Sequence, residues 1–117
     1  MEEVYATRQF EKHTLVSFRT PSLINPTDVE RVRTDLLRMV EEEKRTHLVL
    51  DFHKVQFLSS QVIGIILTLH RKLAALPAGS GGLILCGVGP KLMELLKLSR
   101  LDKLLTITPG RKEALAM

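Results

Sequence analysis

The stretch from His47 to Leu76 constrains the fold more than any other part of this chain. It begins with His47-Leu-Val-Leu-Asp-Phe, a short apolar run ending in a carboxylate. Such a run reads as a strand buried on both faces of a parallel sheet. Lys54-Val-Gln-Phe-Leu follows, then Ser59-Ser60-Gln61, where either serine can cap a helix. From Val62 to Leu76 the first turns are apolar on almost every side, with Val62, Ile63, Ile65, Ile66, Leu67 and Leu69. A helix apolar all round belongs inside a protein, so this one is expected to lie centrally against the sheet. Neither element can be covered without further strands and helices.

The rest of the chain supplies them. Val4–Glu11 and Thr14–Arg19 are rich in aromatic, β-branched and Thr residues and read as a hairpin turning at Lys12-His13. Thr20-Pro-Ser-Leu-Ile-Asn-Pro breaks the pattern. From Asp28 to Lys44, Val29, Val32, Leu36, Leu37 and Val40 recur at helical spacing, with Asn25 or Thr27 as candidate cap. Pro77-Ala-Gly-Ser-Gly-Gly is a loop, and Gly82-Leu-Ile-Leu-Cys-Gly-Val a second buried strand. Pro90 opens a helix bearing Leu92, Leu95, Leu96 and Leu98. Leu101 to Thr108 leads into a last strand, and Pro109 to Met117 can add a short helix. The order predicts an α/β fold: a mixed, mainly parallel central sheet of about five strands with three to four helices. Residues 1–117 read as one domain, without repeats.

Composition narrows the function. With 117 residues, 44% of them hydrophobic, the chain can bury roughly two-thirds of its unfolded surface. No apolar run is long enough for a membrane span. The charged start, MEEVYATRQFEKH, lacks the apolar core of an export signal. Cys86 is the lone cysteine, so an internal disulfide and a multi-cysteine metal site are excluded. The expectation is a cytoplasmic protein. Residues 1–50 carry 8 basic and 9 acidic side chains, and residues 51–117 carry 9 and 4. A basic half can meet an acidic partner, but all five aromatics (Tyr5, Phe10, Phe18, Phe52, Phe57) lie before position 58. With no base-stacking platform there, nucleic acid is not an expected partner.

Few residues suggest chemistry. His13, His47, His53 and His70 form no metal-ligand spacing, and His53, two residues after Asp51, reads as a solvated strand-end residue. Cys86 sits in an apolar strand and reads as a buried, inert thiol. The glycines at 79–82 and 87–89 fit turns rather than a phosphate loop. No nucleophile–base pair stands out, so no catalytic residue, metal or cofactor is expected. Ser59-Ser60-Gln61 differs because it opens the buried helix, where unpaired N–H groups and the helix dipole favour negative charge. A serine there can be an ordinary cap or a phosphorylation switch.

The run Leu48-Val-Leu-Asp-Phe-His-Lys-Val-Gln-Phe-Leu-Ser-Ser-Gln-Val-Ile-Gly-Ile-Ile-Leu resembles the core of a STAS domain, the fold of anti-sigma factor antagonists and of sulfate-transporter cytoplasmic tails. That family shows a hydrophobic strand ending in Asp, then D-S-[ST]-G-x-G and an apolar helix. Gly82-Leu-Ile-Leu-Cys-Gly-Val-Gly-Pro extends the resemblance. So does Leu96-Lys-Leu-Ser-Arg-Leu-Asp-Lys-Leu-Leu-Thr-Ile, similar to the family's L-x-x-x-G-L-D-x-L-F-x-I, and the whole covers about residues 4–115. The motif is degenerate. Without gaps its Asp falls on Ser59, its first Ser on Ser60, its phosphoacceptor on Gln61 and its first Gly on Val62; only the later Gly survives, as Gly64. Glutamine cannot accept phosphate, and Val62 is expected to put a branched side chain where a kinase loop would approach.

The resemblance implies a non-catalytic regulatory module, an anti-sigma factor antagonist. Its partner would be an anti-sigma factor, a serine kinase of the histidine-kinase-like ATPase class. Docking would use Asp51, His53, Lys54, Ser59, Ser60, Gln61 and Gly64. The phosphorylation switch is either lost or moved to Ser60 or Ser59. Two other readings remain: a self-associating scaffold subunit of a stressosome-like assembly, and a small anion- or nucleotide-binding domain using the helix start after the Asp51 strand.

Overall fold

The computed structural model describes residues 4–117; Met1 to Glu3, the first residues of the charged N-terminal stretch, lie outside the described residues. Tyr5–Phe10 (β1) and His13–Phe18 (β2) form the expected antiparallel hairpin. It turns at Glu11-Lys12, one residue earlier than expected, with Glu11 at φ 49°. The break at Pro21 contains a two-residue strand, Ser22–Leu23 (β3). Helix α1 spans Pro26–Glu41 and is capped by Asn25, whose side chain accepts hydrogen bonds from the Thr27 and Asp28 amides at 2.9 and 3.3 Å. Pro26 needs no such partner and sets the first helical φ. His47–Asp51 (β4), Phe57–Leu58 (β5), Ser60–Ala74 (α2), Gly82–Cys86 (β6), Pro90–Leu98 (α3), Thr106–Thr108 (β7) and Arg111–Leu115 (α4) complete the chain.

The main sheet has the order β1-β2-β4-β6-β7. All its pairings are parallel except the β1–β2 hairpin. The short β3 and β5, which the sequence reading leaves as irregular chain, pair parallel as a separate sheet.

Register divides the sheet into two faces, because side chains alternate along a strand. Val16 and Phe18 of β2, Leu48 and Leu50 of β4, and Leu83 and Leu85 of β6 join the main core with α1, α2 and α3. The alternate residues, Leu15, Val49 and Cys86, form a second small cluster covered by Ala114 and Leu115 of α4. One face therefore carries three helices and the other a single five-residue helix.

Helix α2 differs from expectation. Val62, Ile65, Ile66, Leu69 and Leu73 are buried, yet Gln61, Gly64, Thr68 and Arg71 are exposed. Its apolar surface is a broad face rather than a full girdle, because α1 and the sheet contact it and the remaining side carries small or polar residues.

Candidate functional site

The start of α2 is placed by the β3–β5 pair. The Gln56 and Phe57 amides donate to the Pro21 carbonyl at 2.8 and 3.1 Å, and the Ser59 amide donates to the Leu23 carbonyl at 3.1 Å. This clamp holds the loop entering α2 alongside the chain entering α1, so the two helices begin on one edge of the molecule. A groove of about 390 Å³ runs between them, lined by Val29, Glu30 and Arg33 of α1 and by Gln61, Gly64 and Thr68 of α2. A methyl group built on Gly64 would meet nothing within 4 Å. The glycine is not demanded by packing; it leaves that part of the groove bare.

The two serines differ sharply. Ser60 is exposed. Ser59 stands at the cap position with an extended backbone, φ −82° and ψ 161°, but its side chain makes no capping hydrogen bond. Its Oγ is buried and has no hydrogen-bond partner among the described residues. The expected cap bond is therefore absent, and Ser59 is corrected as a phosphorylation candidate in this conformation, since a buried hydroxyl offers a kinase no access. Val62 is also corrected: only 2% exposed, it packs into the core and obstructs nothing outside.

Asp51 does not lie at the surface either. It is 1% exposed. Arg111 Nε donates to its Oδ2, and the His53 amide and His53 Nδ1 lie 3.0 Å from its Oδ1 and Oδ2. Burial pushes the carboxyl upward, but the bonds from Arg111 and His53 prevail and hold it below the usual carboxylate range. Gly87 is part of the same arrangement. At φ 67°, with a would-be Cβ 2.7 Å from Asp51 Oδ1, no larger residue fits there unstrained. Arg111, sixty residues away in sequence, was not legible as the partner of Asp51.

His53 and Lys54 are exposed, but they line a separate concavity with Arg8, Arg19 and Arg111. The expected single docking surface is thus divided: Gln61 and Gly64 share the α1–α2 groove, with Ser60 exposed at its helix start, while His53 and Lys54 face another pocket. The α1 side of the groove, Glu30 and Arg33, was missed; its only signal was the polar face of an amphipathic helix.

Cys86 is buried as expected, and burial, reinforced by the Asp51 charge, pushes its thiol up to about 11. Among the described residues, no group of three His, Cys, Asp or Glu side chains could hold a metal, and no helix is long and apolar enough to cross a membrane.

One family model matches nearly the whole of this chain. The STAS domain model covers residues 6–114. This chain belongs to the STAS domain family. Solved structures share the fold. An anti-sigma-factor antagonist (STAS) domain protein from Planctomyces limnophilus superposes with a TM-score of 0.82 at 21% identity, over 96% of this chain and 94% of that one. An anti-sigma factor antagonist from Mycobacterium paratuberculosis gives 0.80 at 21%, over 96% and 90%. The Bacillus cell fate determinant SpoIIAA in its phosphorylated form gives 0.72 at 18%, over 96% of each chain. The STAS assignment and the mixed, mainly parallel architecture read from the sequence both hold.

Proposed function

We propose that this STAS domain is a non-catalytic regulatory binding module, an anti-sigma factor antagonist that docks a serine kinase of the histidine-kinase-like ATPase class through the start of α2. The reading is carried by one observation: Ser60, Gln61 and Gly64 lie exposed along α2, beside a groove whose glycine packing does not require. The anti-sigma factor antagonists that share this fold support the class of partner. The docking surface is the helix start and groove, without Asp51 and Ser59. Gln61, at the family's phosphoacceptor position, has no hydroxyl to modify, so it would hold the domain in an unphosphorylated-like state. The usual switch is lost, and Ser60 is the exposed hydroxyl through which a replacement would act.

A titration against the purified anti-sigma factor tests this. Ser60→Asp should weaken binding far more than Ser22→Asp, because only the first adds charge to the docking edge. Equal affinities would reject the surface. Incubation with that kinase and ATP should leave the intact mass unchanged. A mass gain of about 80 Da, one phosphate, would overturn the loss of the switch and point to Ser60.

A further inference from the structure

The face of the sheet away from α1, α2 and α3 carries a basic concavity with no assigned role. Arg8 of β1, Ser17 of β2, Arg19 just beyond it, His53 and Lys54 after β4, and Arg111 at the head of α4 line a pocket of about 250 Å³. It lies at the carboxyl ends of β2 and β4, where parallel sheets commonly hold ligands. Three guanidinium groups, of Arg8, Arg19 and Arg111, and the Lys54 ammonium thus share one concavity. Among the described residues, Arg8, Arg19 and Lys54 enter no ion pair, and the carboxylate that answers Arg111 is the buried Asp51. Gathering like charges in a concavity opposes folding unless an anion joins them.

Arg111 is oriented in advance. Its Nε donates to Asp51, and its Nη2 donates to Ser17 Oγ at 3.2 Å. Those two bonds leave three of the five guanidinium N–H donors for a ligand. An arginine fork fixed in this way suits a phosphate, whose oxygens match its geometry. The pocket is also selective about what the phosphate can carry. Phe18, its aromatic neighbour, is 1% exposed and belongs to the core, and the nearby Phe10 ring already has the Arg8 guanidinium 4.9 Å from its centre. No aromatic face remains to stack a nucleobase, and the volume is below the usual range of about 300–1,000 Å³ for pockets that enclose larger ligands.

We propose that this pocket binds a compact phosphate-bearing anion, either inorganic phosphate or a small phosphomonoester, held by the Arg111 fork within the field of Arg8, Arg19 and Lys54. The proposal does not rest on the α2 docking surface.

Calorimetric titration with sodium phosphate and, separately, glycerol phosphate tests it, at ionic strength held constant with sodium chloride. The expected result is saturable one-to-one binding of at least one of them. Binding of both identifies a site that accepts monoesters; binding of phosphate alone identifies one closed around the bare ion. Arg19→Ser/Lys54→Ser removes two exposed side chains and should weaken that binding at least about tenfold, or 1.4 kcal/mol. Lys97→Ser/Lys103→Ser removes the same charge elsewhere and should leave it within about twofold. Matching circular dichroism melts for the variants exclude unfolding as the cause. Absence of saturable binding by both anions up to about 10 mM, or equal weakening in the two variants, would overturn the proposal.

Discussion

At the scale of single residues, the start of α2 inverts the usual economy of a helix cap. A serine at that position ordinarily stabilises by about 0.5–2 kcal/mol relative to alanine, because its oxygen accepts an amide hydrogen bond. Ser59 gives no such bond and buries its Oγ without a partner, which costs its desolvation. Ser59→Ala should therefore leave stability unchanged or raise it by up to about 1 kcal/mol, measured by urea denaturation. A loss as large as that of an ordinary cap would mean the hydroxyl is satisfied in solution. Gly64 makes a second case. Alanine is favoured over glycine inside a helix by about 0.8–1.0 kcal/mol, and the added methyl would meet nothing. Gly64→Ala should stabilise the domain by about that amount while weakening binding to an anti-sigma factor. Stabilisation with full binding would remove Gly64 from the docking surface.

At the scale of elements, α2 joins a buried face to an exposed strip, and the two were unequally legible. Val62, Ile65, Ile66 and Leu69 announced the buried face, since a dense apolar pattern tolerates few placements. The exposed strip was harder to read because Gly64 and Thr68 are neutral in such a pattern; only the position of α1 decides that they face outward. The β3–β5 clamp was invisible for a similar reason. Two-residue strands are fixed by backbone partners such as Pro21 and Leu23, and side-chain periodicity carries no trace of them. Ile66, 1% exposed, sits on the buried face. Ile66→Asp should abolish the cooperative thermal transition followed by circular dichroism, because it buries an unpaired charge. A native-like melt would contradict the placement of the helix.

At the scale of the whole molecule, long-range electrostatics ties the last helix to the centre of the sheet. Asp51 titrates below its ordinary range in the folded state, so its contribution is present above about pH 4 and is lost as pH falls through the folded value. His13, 4% exposed, is lowered by burial first and by Lys12 and His47 next. Folding favours its neutral form, and that contribution begins to fade as pH falls below about 6.5. Stability should thus decline in two acid stages. His13→Gln should remove the upper stage, and Arg111→Met should blunt the lower one and cost about 1–2 kcal/mol at neutral pH, the half-exposed guanidinium moderating the loss. Denaturation midpoints across pH 3–8 check both; a flat profile in the wild-type chain would refute the linkage. The overall architecture was legible because four parallel strands and three crossover helices each carry their own pattern. The Asp51–Arg111 tie was not, because nothing near either residue in sequence names the other.

The unequal cladding of the sheet has a kinetic corollary. Undocking α4 breaks few apolar contacts compared with lifting α1 or α2, so brief partial openings should begin at the C-terminal segment, well before global unfolding. In deuterated solvent the amides of α4 and β7 would then exchange ahead of those of β2 and β4, and the thiol of Cys86 would become reactive at the rate of that same excursion.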